Sequence, residues 1–361
     1  MATEQPTIDR TAVEQFQDRV FEAALGTFTT YAIHLGSRLG YYDALAAEGP
    51  STPVELAAAT GTNERYAREW LEQGTVSGVL TCEDPDVPAP ERRYALPEAH
   101  AAVLTDPDSL DYLASLPRTV VGAVSIVDEV ADAYRTGEGI EFHAFGADMH
   151  EGQAALNRPL FVNQLGEEWL PSLDDVDARL KAGGAVVDVG CGHGWSSIGI
   201  ARAYPEATVH GIDADAVSID RARENAAASD VGDRLTFTQA DAADVDGSYD
   251  LVTAFECVHD MSDPVAVLST MRSLAAPDGT VLVMDERTAD SFSPDAGPAE
   301  EFFYGWSVFH CLPVSLVDDG VGTGTVMREA TLRDYVAGAG FSGVEVLPIE
   351  DEFFRFYRLV L

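Results

Sequence analysis

Lysine is almost missing from this chain of 361 residues: Lys181 is the only one, and 22 basic residues face 61 acidic ones for a net charge of −39. Binding to a polyanion draws its affinity from clustered Lys and Arg, so the composition speaks against nucleic acid or an anionic membrane as partner. The acids are spread along the whole chain rather than gathered in a tail. Such a surface repels itself at low salt and is screened at high salt, which implies the cytoplasm of a salt-accumulating halophile. Cysteine is scarce as well. Cys82, Cys191, Cys257 and Cys311 stand far apart, with no C-x-x-C pair and no His/Cys cluster at zinc spacing, so no disulfide framework and no metal is expected. The start of the chain shows no basic region followed by an apolar one, and no apolar run approaches about 18 residues, so a secreted or membrane-spanning protein is not expected.

What the chain has in quantity is apolar sequence, 46% of it, enough over this length for two domains with a substantial core. Residues 21–45 place apolar groups at helical spacing and read as one or two amphipathic helices. Ser51-Thr-Pro reads as an N-cap with proline in the first turn of a helix that closes on Gly61, and Asn63 opens another. Residues 79–82 and 93–96, separated by a Pro/Asp-rich turn, read as the arms of a β-wing. Helix, turn, helix and wing make residues 1–100 a winged-helix domain. It carries 16 acidic and 7 basic residues, net −9, so a role in dimerisation and in one wall of a substrate pocket is favoured over DNA. Residues 101–177 read as a helical bridge, with a helix over 110–134 broken at Gly137 and two loop histidines, His143 and His150, left outside the catalytic set.

From residue 178 to 361 strands alternate with helices, which predicts an α/β domain with a parallel, Rossmann-like seven-stranded sheet. Strands are expected at 185–189, 208–212, 235–239, 251–255 and 280–284, with an antiparallel pair at 343–347 and 353–360. The pivotal stretch is Ala185-Val-Val-Asp-Val-Gly-Cys-Gly-His-Gly194, an apolar strand ending in glycines at 190, 192 and 194. Such a turn lets a ligand lie directly on the backbone. The dinucleotide fingerprint G-x-G-x-x-G/A fails in both registers, because its third small position falls on Trp195 or Ser197.

The remaining pattern, Asp188-x-Gly190-x-Gly192-x-Gly194, resembles the first motif of class I S-adenosylmethionine (SAM) methyltransferases. The resemblance implies a cofactor site built from Asp188, Gly190, Gly192, Gly194, Asp213, Ala214, Asp241, Ala242 and Phe255. Asp213 follows the second strand, where a carboxylate accepts both ribose hydroxyls. Asp241 follows the third and suits the adenine amino group, with the Ala242 amide beside it. Asp188 is expected to hold the glycine turn or a water near the methionine amine.

After the fourth strand, His259-Asp260-Met261-Ser262-Asp263 is similar to the His-Asp-x-x-Asp signature of small-molecule O-methyltransferases, with Met261 where the plant-type signature usually has Trp. Residues 33–45, 64–71 and 94–105 resemble the winged-helix, dimer-forming N-terminal domain of such enzymes, and the similarity covers nearly the whole chain. It implies a homodimer, a hydroxyl-bearing small-molecule acceptor, and His259 as general base, oriented by Asp285 and Glu329. It also implies an acceptor pocket containing Phe302, Phe303, Trp306 and His310, although a core-packed helix accounts for these aromatics equally well. N- or S-methylation without a base, and a winged-helix regulator that senses SAM, are the alternatives.

Overall fold

The computed structural model describes residues 8–242 and 245–361, so the start at residues 1–5 lies outside what is described. The chain divides into two compact units, Met1–Val121 and Gly122–Leu361. The division cuts the segment 101–177 expected as a bridge, leaving its first part with the first unit and the rest with the second.

In the first unit, the one or two helices expected over 21–45 are two, α1 (Arg10–Arg38) and α2 (Tyr41–Glu48). They separate at Gly40, whose φ of +69° is left-handed and favours glycine. Helix α3 (Pro53–Thr60) is capped by Thr52 through a reciprocal box with Glu55, while Ser51 bridges to Tyr94. Asn63 caps α4 (Glu64–Val76) as expected. The wing is short: β1 (Thr81–Cys82) pairs antiparallel with β2 (Tyr94–Ala95), and α5 (Glu98–Leu104) follows. Trp70 anchors the core, its ring 4.8 Å from Tyr41 and 5.3 Å from Tyr42. Its indole N–H donates to Ala32 O at 2.9 Å, so the one polar atom of the side chain is satisfied inside.

Helix α6 (Ser115–Val124) spans the division, and α7 (Val127–Thr136) ends on Gly137, so the helix expected over 110–134 is two. Next come α8 (Gly146–Leu160), prolonged by a π-helical stretch Phe161–Trp169, and α9 (Asp174–Lys181). Then β3 (Ala185–Val189), α10 (Trp195–Ala203), β4 (Thr208–Asp213), α11 (Ala216–Ala228), β5 (Leu235–Gln239) and β6 (Tyr249–Phe255) alternate. They are followed by α12 (Pro264–Leu274), β7 (Ala275–Glu286), α13 (Pro298–Trp306), a π-helical turn Ser307–Cys311, and α14 (Leu312–Ser315). The chain closes with α15 (Glu329–Gly338), β8 (Gly343–Val346) and β9 (Phe354–Val360).

The sheet order is β5-β4-β3-β6-β7-β9-β8, parallel through β7 and antiparallel at β9 and β8. One face packs Phe161, Leu165 and Trp169 with Ile198 and Ala201; the other packs Leu268 and Met271 with Leu332 and Val336. From β3 the chain steps outward to β4 and β5, then returns to lay β6 on the other flank of β3. The connections leaving β3 and β6 therefore diverge, and a crevice opens at the carboxyl ends of these two strands. No described helix is long and apolar enough to cross a membrane.

Candidate active site

The glycine turn after β3 is held by backbone bonds to β4 and by one acid, Asp213. Gly190 N and Cys191 N both donate to Ile212 O, at 2.8 and 3.1 Å. Gly192 N donates to Asp213 Oδ2 at 2.8 Å, while Asp213 Oδ1 accepts Asp215 N at 2.9 Å. Gly190 has φ +70°, and a Cβ there would stand 2.7 Å from Cys257 Sγ, so side-chain-free backbone is required where the turn passes under the β6 loop. Burial pushes the Asp213 carboxyl up to about 6, against the two amides that favour its charge.

Asp188, expected to hold the glycine turn or a water near the methionine amine, bonds the side chains that follow the turn. Its Oδ2 accepts the hydroxyls of Ser196 and Ser197 at 2.6 and 2.7 Å, and its Oδ1 accepts that of Thr253 at 2.8 Å. It is buried, with burial raising its pKa, and ties the first turn of α10 to β6. Gly194 likewise lies beneath the turn, packed so that a Cβ would meet the Phe237 ring at 2.8 Å.

A cleft of about 890 Å³ opens over this turn. Its wall includes Gly190, Gly192, Asp213, Ala214, Asp241, Ala242 and Phe255, and excludes Asp188 and Gly194. Three successive strand ends thus present acceptor-only carboxylates or bare backbone to one volume, within the size range of small-molecule sites. The far wall comes from the helical segment, with Phe142, His143, His150, Asn157 and Phe161. The two histidines set aside from sequence are therefore in the cleft, and His150 is buried rather than on a surface loop.

Past β6, residues 258–260 make one tight turn that buries His259. Its Nδ1 stands 2.8 Å from Asp285 Oδ1 and 3.0 Å from Glu286 Oε2, and its Nε2 3.3 Å from Asp260 Oδ1. Burial alone would lower the His259 pKa, but Glu286, Asp285 and Asp260 together outweigh it and hold the imidazole well above the usual histidine value. Burial acts upward on Asp285 too, yet the histidine's charge prevails and keeps that carboxyl low, whereas burial prevails at Glu286 and pushes it well up. The three acids thus stand around one imidazole whose affinity for a proton they raise.

Glu329 is not part of this cluster. It begins α15 and its carboxylate pairs with Arg333 at 2.7 Å and Arg355 at 3.7 Å; the second acid on His259 is Glu286. Strand alternation sends consecutive side chains to opposite faces, which hides an Asp-Glu pair that converges on one atom at a strand end.

A further acid, Glu256, was equally hidden. It follows β6 with a φ of +51°, uncommon for any residue but glycine, and its carboxylate accepts a hydrogen bond from Asn157 on α8. Both Glu256 and Asp260 line the cleft, whereas His259 lies behind them. Burial lifts the Glu256 carboxyl to about 8.

The aromatic segment does not line the cleft. Phe303 is buried 6.4 Å from the Phe353 ring, and Phe302 and Trp306 stack edge-on at 5.6 Å. His310 is buried against Phe142 and Phe145, which depresses its pKa to about 4. Trp306 and Phe309 pack on Ala123, Phe145 and Met149, so the end of α13 and the turn after it brace the helical wall.

The family described as "Methyltransferase domain" matches residues 180–328, and the "Rv2258c-like winged HTH domain" matches residues 27–106. Among curated relatives, 3-amino-4-hydroxybenzoate 4-O-methyltransferase of Streptomyces cremeus is 27% identical over 353 residues, 92% of this chain and 87% of that protein. The 27-O-demethylrifamycin SV methyltransferase of Amycolatopsis mediterranei is 35% identical over 109 residues, but the match spans only 29% of this chain and 40% of that enzyme. Among solved structures, the mitomycin 7-O-methyltransferase superposes with a TM-score of 0.69 at 19% identity, covering 98% of this chain and 99% of that one. Human N-acetylserotonin methyltransferase in complex with SAM gives 0.64 at 19% identity, covering 99% of each chain. A methyltransferase domain over residues 180–328, its cleft built from the glycine turn and the strand-end acids, thus follows a winged helix-turn-helix domain over residues 27–106.

Proposed function

We propose that the protein transfers a methyl group from SAM to a hydroxyl oxygen of a small molecule. One observation carries the reading: the cleft runs without interruption from the glycine turn, Asp213 and Asp241 to the carboxylates of Glu256 and Asp260 in front of His259. Carboxylates at the ends of β4 and beyond β5 suit the hydroxyl and amino donors of an adenosine, because they only accept. Bound there, SAM supplies an activated methyl group on a sulfonium. A hydroxyl acceptor is a weak nucleophile until its proton leaves, and the acids gathered around His259 are the groups fit to receive it. His259, whose affinity for a proton these acids raise, supports this by standing against them through Nδ1 and Nε2.

The exposed face of α1 supports a homodimer. Phe16, Val20, Phe21, Leu25, Phe28, Tyr31 and Leu35 run along that 29-residue helix, each more than two-fifths exposed, a continuous apolar stripe that a second copy would cover. DNA fits poorly on the winged helix, where Arg65 pairs with Glu69 at 2.5 Å and Arg68 with Glu64 at 3.4 Å on α4.

The test is transfer from methyl-deuterated SAM, in concentrated KCl, to a panel of phenols that includes 3-amino-4-hydroxybenzoate, an acceptor offering both a hydroxyl and an amine. A labelled O-methyl product is expected. Label found only on nitrogen would overturn the assignment to oxygen.

A further inference from the structure

We propose that Glu256, rather than His259, is the group that takes the proton from the acceptor hydroxyl. The inference rests on the O-methylation reading above and names the residue that completes it. His259 is out of reach of the acceptor: Nδ1 is bonded to Asp285, Nε2 stands 3.3 Å from Asp260, and the ring lies behind the wall of the cleft. Glu256 stands in that wall, between the end of β6 and the glycine turn. The chain holds it there at φ +51°, a conformation that costs a non-glycine residue of order 1 kcal/mol. That backbone is fastened by the bond from Glu256 N to Met284 O at 2.8 Å, and the carboxylate itself by Asn157. A strained backbone, a dedicated amide donor and a place in the cleft are what a positioned proton acceptor needs.

The charges around it explain how it is loaded. On its own loop Glu256 faces His259 and Asp260, on β7 it faces Asp285, and on α8 the uncharged Asn157. Burial, with the acids, keeps the carboxyl protonated near neutrality. A cation admitted to the same cleft lowers a nearby carboxyl by about 1–3 units, so Glu256 loses its proton when the sulfonium donor enters and is a carboxylate when the acceptor is in place. In the transfer step the acceptor O–H bond breaks and its proton goes to a Glu256 carboxylate oxygen. The electron pair left on oxygen forms the O–CH3 bond, and the S–CH3 bond breaks with its pair staying on sulfur as a neutral thioether.

The first experiment needs no acceptor. Calorimetry of SAM binding to the full chain at about pH 7, in buffers of different ionisation heat, reads the protons released. From a carboxyl near 8 that drops by 1–3 units, roughly 0.4–0.9 proton per site is expected. Glu256→Gln should abolish that release with SAM affinity kept within about threefold. Asp260→Asn, which leaves Glu256 intact, should move the midpoint of release to lower pH, and supplies the answer if the first variant does not fold. No release by the wild type, the same release by Glu256→Gln, an unmoved midpoint in Asp260→Asn, or loss of SAM binding in Glu256→Gln would each overturn the proposal, the last by making Glu256 a cofactor ligand. In transfer to the aminophenol probe, Glu256→Gln should slow O-methylation at least about 100-fold. A wild-type rate in that variant would remove Glu256 and leave O-methylation standing, whereas N-methylation of the probe by the wild type would remove the reading beneath both.

Discussion

Replacing Asp188 should damage the fold before it damages cofactor binding. Three hydroxyls donate to its carboxylate at 2.6, 2.7 and 2.8 Å, two from the first turn of α10 and one from β6. At about 1 kcal/mol net per hydrogen bond, Asp188→Ala loses about 3 kcal/mol and leaves Thr253, fully buried, without that partner. Part of the loss is offset because a buried charge disappears, and burial already raises this carboxyl. Asp188→Asn keeps one acceptor oxygen and removes the charge, so it should cost about 1 kcal/mol. At about 2–4 °C per kcal/mol for a unit of this size, Ala should lower the Tm by roughly 6–12 °C and Asn by a third of that. Thermal unfolding in concentrated KCl, followed by circular dichroism with and without SAM, measures both. A wild-type Tm for Asp188→Ala, together with weakened SAM binding, would refute the assignment and restore the cofactor contact first expected from the sequence.

Other expectations follow from the same geometry. Glu329→Gln should leave methyl transfer within about twofold, because that carboxylate serves Arg333 and Arg355, whereas Glu286→Gln should slow it at least about tenfold; steady-state rates of the two variants decide between them. The His259 pKa is raised in the folded protein, so its contribution to stability is complete below the unfolded value of about 6.5 and is lost as pH climbs through the folded one. Denaturant titrations across that window should show wild type losing stability relative to His259→Gln as pH rises, and parallel curves would contradict the charged state. Joint replacement of Phe21 and Phe28 by Asp on the exposed face of α1 should halve the mass read by light scattering, and an unchanged mass would place the dimer contact elsewhere or show that none forms.

The sheet was legible because its strands are short apolar runs closed by turns. β3 and β5 have the limits expected of them, while β4 and β6 differ by one residue or two at one end. β7 begins at Ala275, five residues before its expected start, because Pro277 and Gly279 mask a strand that pairs irregularly with β6. Asp213 and Asp241 could be placed since an acid at a strand end has a position before it has contacts. Glu286 and Glu256 could not, because each depends on where a backbone points rather than on spacing. The aromatic run 302–310 is the opposite case: aromatics at helical spacing describe a face without saying what it meets, and here Trp306 and Phe309 meet Ala123, Phe145 and Met149 while Phe303 meets Phe353. Likewise, α1 and α2 share one apolar pattern that a single left-handed glycine divides.

The left-handed backbone at Glu256 sets two kinds of selection against each other. Glycine or asparagine at this position would relieve the local conformation and raise thermal resistance by up to about 1 kcal/mol, so a screen for heat tolerance should enrich them. Neither carries a carboxylate, so a screen for turnover should discard the same variants. An engineer who stabilises this protein from folding data alone would therefore be led to remove the carboxylate proposed to take the acceptor's proton, and a conflict between the two screens would itself mark the residue.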